Sequence, residues 1–225
     1  MDLTCWTLIH DAAAGEAAAR AEFARRYLPV VREALRAVAG ARADEADLED
    51  AVGEVFVECL KTEGLLERAR SGQGAGFRAF LFAACRNVAL RQRTRRARRR
   101  EAAADTAVIE ALEPDEEHSL GEAFDRAWAV ELLREAGERQ AQAAQVAGPA
   151  AVRRVEILRL RFQEALPVRE ISALLDLPAD FVHHEYAQAR REFERALREV
   201  LAEHNPDAPE AAARELRELL ALFAG

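Results

Sequence analysis

The segment 77–100 constrains the fold more than any other part of the chain, because its apolar residues stop halfway. Over the first half, apolar side chains recur at helical spacing and predict one buried face. That face would consist of Phe77, Leu81, Ala84, Cys85 and Val88. The whole segment contains nine arginines and no carboxylate, and its second half is almost free of apolar residues. We therefore expect a helix that is anchored in a core at one end and presents a cationic surface at the other.

The composition favours helices throughout the chain. Half of the 225 residues are apolar, Ala, Leu, Arg and Glu dominate, and Gly and Pro are scarce. Unbranched side chains lose little rotamer freedom in a helix, and few β-branched or aromatic runs favour sheet instead. The sequence predicts an all-α fold of two small helical domains joined by an acidic linker. The expected segments are domain 1–100, linker and connecting helix 101–150, domain 151–204 and C-terminal extension helix 205–225.

Charge is unevenly distributed along the chain, although the formal net charge is -8. Residues 101–140 contain twelve acids against three arginines, directly after the arginine run. Local clustering, rather than net charge, decides whether a nucleic acid can bind. We interpret the arginine run as a nucleic-acid surface because no acids are interspersed in it. The alternatives are a solvated helix face and a non-specific RNA or membrane patch.

Several classes of protein are disfavoured by what the sequence contains. The three cysteines lie far apart and without metal-ligand spacing, which favours reduced thiols in a reducing cytosol. The first sixteen residues turn polar after a short apolar patch, so we expect no signal peptide, and no run approaches the roughly 20 apolar residues of a membrane span. No phosphate-binding loop, nucleophile elbow or zinc motif is present. We expect a cytoplasmic protein that is not an enzyme and has no cofactor, metal or catalytic residue.

Residues 168–193 have the pattern of a helix-turn-helix. The first helix, 168–175, would turn three apolar side chains inward, namely Ile171, Leu174 and Leu175. Pro178 stands near the start of the second helix, where its missing N–H costs nothing. In such motifs the N-terminal residues of the second helix meet base edges in the major groove, although helical bundles also contain similar hairpins. The exposed candidates are Asp180, His183, His184 and Gln188.

Three blocks of the sequence, in this order, resemble a group IV (extracytoplasmic-function type) sigma factor of bacterial RNA polymerase. The stretch "DLEDAVGEVFVECLK" is similar to region 2.2, which docks on the polymerase clamp. The stretch "FRAFLFAACRNVALRQRTRRARRR" is similar to regions 2.3 and 2.4, which open and read the -10 element. The stretch 156–197 resembles region 4, a helix-turn-helix that reads the -35 element. The resemblance covers roughly residues 5–100 and 120–200.

The resemblance implies site residues and partners. Core polymerase would be bound by Asp47, Asp50, Glu54 and Phe56. The -10 DNA would be bound by Arg86, Asn87, Arg91, Arg93, Arg95, Arg96 and Arg99. The -35 DNA would be bound by Arg169, His183, His184, Gln188 and Arg190. The expected partners are core RNA polymerase, promoter DNA and an anti-sigma factor or other regulator, with no membrane, and the free protein is expected to be a monomer.

Other interpretations of the same residues stay open. The acids at 47–54 would also suit a helix N-terminus, and Asn87 is equally consistent with a hydrogen-bonded polar residue of the core. Gly53, Arg91 and Glu185 depart from the residues usual in the family, and residues 151–200 balance nine arginines against nine acids. The alternative function is therefore a degenerate sigma homologue that acts as a helical interaction module without reading promoters. A helix-turn-helix repressor is a third possibility and predicts a symmetric dimer.

The C-terminal extension carries an apolar stripe of its own. Its members are Leu216, Leu219, Leu220 and Phe223. A stripe of this kind predicts an amphipathic helix that buries one face. The sequence does not distinguish packing on the second domain from docking between the domains or on a partner.

Overall fold

The computed structural model describes residues 5–39, 44–60, 77–100, 112–205 and 209–221. For a few residues inside helices only the backbone is described, namely Cys5, Trp6, 96–100, Ala211, Glu218, Leu220 and Ala221. Every regular element in these ranges is an α-helix, which confirms the all-α prediction. No helix within them is long and apolar enough to cross a membrane. The predicted loop 71–76 and Phe223 of the C-terminal stripe lie outside the described residues.

Nine helices are described, and we number them in chain order. Their bounds are α1 Cys5–Ala13, α2 Ala17–Ala39, α3 Glu45–Leu60, α4 Phe77–Arg100, α5 Pro114–Ala147, α6 Pro149–Phe162, α7 Val168–Leu175, α8 Ala179–His204 and α9 Pro209–Ala221. The chain divides into two compact units. The first comprises Met1–Glu131 with Glu203–Ala211, and the second comprises Leu132–Ala202 with Ala212–Gly225. Helices α5, α8 and α9 therefore contribute residues to both units.

The core of the first unit is built around aromatic side chains from α2, α4 and the first half of α5. Phe23, Tyr27, Phe77 and Phe124 are fully buried, and Trp128 is 2% exposed. The ring centroids of Tyr27 and Phe77 are 4.7 Å apart, and those of Phe124 and Trp128 are 6.1 Å apart with nearly parallel planes. Trp128 is thus a core residue, as predicted, while the side chain of Trp6 lies outside the description.

The last turn of α8 also contributes to this core, which the sequence pattern did not indicate. His204 is 2% exposed, and its Nε2 lies 3.3 Å from the hydroxyl oxygen of Tyr27. Its ring meets Trp128 edge-on, with centroids 5.3 Å apart. A histidine that ends a long amphipathic helix normally lies at the surface, so its burial depends on tertiary contacts that local sequence does not encode.

Helix α5 is longer than the sequence predicts at both ends. The acids and small residues of the segment 101–150 predict a linker over 101–118 and a hinge beginning at 141, but residues 114–118 and 141–147 are helical. At the start, Pro114 occupies the first helical position, and the backbone N–H of Glu113 donates to the Glu116 carboxylate at 3.1 Å, which is half of a capping box. At the other end, small residues were interpreted as a hinge although Ala is the best helix former. The break comes only at Gly148, whose φ is +103°.

The helix-turn-helix of the second unit has one apolar core shared by α6, α7 and α8. Its fully buried members are Ile157, Leu160, Ile171 and Val182, and partly buried apolar side chains surround them. The prediction that Leu174 faces inward is wrong, since this side chain is 62% exposed. Ile171 and Leu175 lie one turn apart on the inward face, and Leu174 points about 100° away from Leu175.

The turn between α6 and α7 holds an alanine in the left-handed region. Ala165 has a φ of +53°. This conformation costs an L-residue roughly 1–2 kcal/mol, and glycine adopts it without that strain but loses more backbone entropy. We expect Ala165→Gly to raise the free energy of unfolding of the second unit by about 0.5–1 kcal/mol. The measurement is the urea midpoint followed by far-UV circular dichroism.

The matched control for this substitution is Ala173→Gly, which changes an exposed alanine inside α7. Because glycine is roughly 1 kcal/mol less favourable than alanine in a helix, the control should lower the same midpoint. Equal destabilisation by both glycines would show that Ala165 is not strained.

Candidate nucleic-acid interface

The candidate interface is the surface of α4, and the buried half of that helix fixes its position. Phe77, Leu81, Ala84, Cys85 and Val88 are all fully buried, as predicted from their spacing. From Leu90 to position 95 the side chains are half-buried or exposed. Near the point where the apolar residues of α4 end, the Thr94 hydroxyl donates to the carbonyl of Leu90 at 3.0 Å. The core therefore holds the helix while the arginines that follow extend along the surface of the first unit.

Carboxylates of α3 lie along one flank of the arginines. Arg91 has its Nε 3.7 Å from Glu54 and its Nη2 3.4 Å from Glu58. Arg95 donates a hydrogen bond to the same Glu54 carboxylate, and the side-chain amide of Gln92 lies 3.4 Å from it. Glu54 is thus the point at which α3 and the cationic half of α4 meet.

Carboxylates at the start of α5 lie along another flank. The Nε of Arg86 donates to Glu117 at 2.6 Å. Arg93 donates from Nη2 to Glu113 at 2.6 Å, and its Nη1 lies 2.9 Å from Glu116. The hydrogen bond that Arg93 donates to Glu113, with the nearby charge of Glu116, raises the pKa of this guanidinium. Sequence reasoning missed these pairs, although the block of acids that directly follows the arginine run was a signal for them.

The structure distributes the predicted -10 residues as follows. Arg86, Arg91 and Arg93 are half-buried, whereas Asn87 and Arg95 are exposed. The exposure of Asn87 rules out its interpretation as a polar residue of the core. The side chains of Arg96 and Arg99 lie outside the description. The described members thus line one helix, and each of the four arginines among them already contacts a carboxylate of the same chain.

The four predicted polymerase-binding residues differ in exposure. Asp50 is exposed, and Asp47, Glu54 and Phe56 are half-buried. Phe56 packs edge-on against Phe23 with ring centroids 5.8 Å apart, so its ring also belongs to the core of the unit. An apolar side chain that the sequence did not single out, Val57, is 57% exposed on the same helix. Asp50 is therefore the one of these four predicted contacts whose side chain is exposed to a partner.

The predicted -35 residues lie on α7 and α8. Arg169, His183, His184 and Arg190 are exposed. Gln188, which was predicted to be exposed, is half-buried because its amide donates to Glu192 at 3.1 Å and its carbonyl accepts from Arg191 at 2.7 Å. Within the described residues, no group of three or more His, Cys, Asp or Glu side chains is arranged to hold a metal ion.

Glu185 lies on the inner side of α8, contrary to its assumed place on the recognition surface. Its side chain is about 10% exposed, and its Oε2 lies 3.9 Å from Arg153 and 4.0 Å from Arg154 on α6. Position 185 follows the buried Val182 by three residues and therefore shares its face. The acidic residue does not place a negative charge on the exposed face of α8. Instead, Phe181 is partly exposed there, with the guanidinium of Arg153 over its ring at 5.2 Å.

Comparison with known proteins identifies the region around α4. Residues 23–99 match the family described as Sigma-70 region 2. The match begins at Phe23 in α2, includes α3 and nearly all of α4, and covers about a third of the chain. No curated protein and no solved structure matches the chain. The matched range therefore contains both the candidate polymerase-binding helix and the described arginines of α4.

Proposed function

We propose that the chain, whose residues 23–99 match the Sigma-70 region 2 family, is a sigma factor of the group IV type, which brings core RNA polymerase to a subset of promoters. The observation that carries this proposal is the construction of α4. Within the matched range, a buried face along the first half of α4 holds the row of surface arginines that follows in a fixed position. A sigma factor performs no bond chemistry, and its task is to bind polymerase and to hold promoter DNA as it opens.

The arginines of α4 suit contact with opening DNA for two physical reasons. The guanidinium group pairs bidentately with phosphate, and it also stacks on unpaired bases. Arg86, Arg91, Arg93 and Arg95 would supply these contacts, and the exposed Asn87 would reach a base of the -10 element. Arg96 and Arg99 would extend the same surface toward the end of the helix.

The second unit would read the -35 element with α8. His183 and His184 lie in its N-terminal part, where helix-turn-helix proteins contact base edges, and both are exposed. Arg169 and Arg190 would contact phosphates, whereas Gln188 first has to leave Glu192 and Arg191. The burial of Glu185 supports this role because it removes an acidic residue from the exposed face.

A second candidate function is favoured by the pairing of α4. Since Arg86, Arg91, Arg93 and Arg95 already contact carboxylates of their own chain, the helix is partly neutralised. A degenerate sigma homologue that binds polymerase or a regulator through α3, without reading promoters, is consistent with such a surface. The two functions differ in whether the polymerase complex initiates transcription.

The test is to mix the protein with bacterial core RNA polymerase, isolate the complex by size-exclusion chromatography and transcribe from a library of random promoters. Co-elution with selective initiation would establish a sigma factor, and an anti-sigma factor or other regulator would then be sought with the same complex. Co-elution without initiation would favour the interaction module. Absence of co-elution would contradict both functions.

A substitution in α3 sharpens this test. We expect Asp50→Arg to weaken binding to core polymerase by about 10-fold or more, because a reversed interfacial charge meets like charge on the partner. The matched control is Glu33→Arg, which reverses an exposed acid on α2. Gly53→Gln should strengthen binding to core polymerase. Gly53 is exposed and has open space where a side chain would begin, so a glutamine fits there and can add a polar contact to the partner. Equal affinities for Asp50→Arg and Glu33→Arg would exclude Asp50 from the interface.

A further inference from the structure

We propose that Glu113, Glu116 and Glu117 occupy the places of nucleic-acid phosphates on α4, and that they must leave Arg86 and Arg93 before those arginines can bind nucleic acid. The inference rests on the proposed function, because it assumes that α4 is the nucleic-acid surface. It adds to that function an intramolecular competitor within the first unit.

The geometry of the pairs is that of a phosphate contact. Both arginines donate charge-assisted hydrogen bonds to carboxylate oxygens at 2.6 Å, and Nη1 of Arg93 also lies 2.9 Å from the Glu116 carboxylate. Guanidinium groups make the same kind of bond to phosphate, at similar distances and with similar directionality. A donor engaged by a carboxylate is not available to a phosphate at the same time. Carboxylate and phosphate therefore compete for the same two side chains.

The acids are held beside α4 by the core of the unit. The large apolar side chains just before α5 and in its first half are buried, namely Leu112, Leu120, Phe124 and Trp128. Glu116 also accepts the hydrogen bond from the backbone of Glu113, which orders the first turn. Since the fold already positions these carboxylates, pairing with the arginines requires little further ordering. This distinguishes the contacts from accidental ion pairs between long, independent side chains.

The strength of the pairs suits a displaceable competitor. Each pair has a partner that is well exposed to solvent: Glu113 is 65% exposed in its pair with Arg93, and Arg86 is 36% exposed in its pair with Glu117. An ion pair of this exposure changes a binding equilibrium by up to about 5-fold. Together the pairs lower the affinity of α4 for nucleic acid measurably, yet a row of phosphates at low salt can displace them.

The experiment measures how the affinity for nucleic acid depends on salt. The variant Glu113→Gln, Glu116→Gln, Glu117→Gln keeps side chains of similar size, and glutamine also serves in a capping box. The probe is a labelled DNA duplex of mixed sequence, titrated by fluorescence anisotropy with the full chain. If two further arginines become available, the slope of log affinity against log salt should steepen by about 1.8. The affinity at low salt should rise by about 10-fold or more.

A matched control separates this effect from the change in net charge. The variant Glu22→Gln, Glu33→Gln, Glu122→Gln removes three acids of the same unit whose ion pairs do not involve α4. Its slope should stay close to that of the parent protein. Equal slopes for the two triple variants would overturn the proposal that these acids compete with nucleic acid.

A further variant keeps this failure distinct from failure of the proposed function. Arg86→Gln, Arg93→Gln in the triple background should return the slope to that of the parent. If it leaves the raised affinity unchanged, α4 is not the nucleic-acid surface and the proposed function fails as well. Should the triple variant not fold, Glu117→Gln alone, which does not take part in the capping hydrogen bond, should steepen the slope by about 0.9. An unchanged slope for that variant would likewise overturn the proposal.

Discussion

Replacing Trp128 by alanine should lower the free energy of unfolding of the first unit by about 3–5 kcal/mol. The indole is 2% exposed and lies where α2, α4, α5 and the last turn of α8 meet. Its ring centroid is within about 6 Å of those of Tyr27, Phe77, Phe124 and His204. Truncation would remove contacts to all four rings and leave a cavity. The surrounding helices cannot move together to close this cavity fully, because each of them is also packed elsewhere in the core.

Two buried thiols provide the measurement for this prediction. Cys59 and Cys85 are fully buried. Burial raises the pKa of the Cys59 thiol to about 12 and that of Cys85 further still, so both remain neutral and inaccessible in the folded unit. In a Cys5→Ser background, their reaction with a disulfide reagent reports opening of the unit. Trp128→Ala should react much faster than the parent.

The matched control is Val130→Ala in the same helix. Val130 is 61% exposed, and its truncation should change the free energy of unfolding by less than about 0.5 kcal/mol. Similar thiol reactivity in the two variants would show that the aromatic cluster does not hold the unit together.

The parts of the fold that could be predicted from sequence are those in which local periodicity and burial agree. The buried face of α4 followed from spacing alone, because apolar residues on one helical face have to be covered. The change from Val88 to the arginines also located the candidate surface, since charges without interspersed acids are costly to bury. The Sigma-70 region 2 match then identified this same stretch.

One error came from local signals that were misread, and the others arose where tertiary context decides. Helix α5 was predicted too short because its acids and small residues were interpreted as linker and hinge, although its cap and its alanines favour a helix. Glu185 was placed on the recognition surface by its position in the resemblance to the family, but its side chain is buried, and Arg153 and Arg154 on α6 compensate this burial. The ion pairs of Arg86 and Arg93 connect residues 20–31 positions apart, a distance at which sequence shows complementary charge but not contact.

Replacing Arg86, Arg91, Arg93 and Arg95 together by glutamine should remove most of the salt dependence of nucleic-acid binding. If Arg91 and Arg95 each neutralise one phosphate while the acids of α5 hold Arg86 and Arg93, the parent slope of log affinity against log salt includes about -1.8 from this row, and about -3.6 once those acids are removed. The affinity of the parent should therefore fall by roughly 10-fold between about 50 and 200 mM salt, that of the Glu113→Gln, Glu116→Gln, Glu117→Gln variant by roughly 100-fold, and that of the glutamine variant of the arginines far less. The measurement is fluorescence anisotropy with duplex and single-stranded DNA, and an unchanged slope would exclude this row of α4 as the binding surface.

The matched control keeps the charge and changes its shape. Lysine at the same four positions still neutralises phosphate, so the slope for duplex DNA should be preserved. Lysine cannot pair bidentately or stack its head group as a planar guanidinium does, so affinity for single-stranded DNA should fall by about 10-fold. Loss for the single strand with a retained duplex slope would mean that α4 contacts unpaired bases as well as phosphates, as holding an opened promoter requires. Equal retention of both would reduce the helix to an electrostatic surface, and the interaction module would then be the better description of the protein.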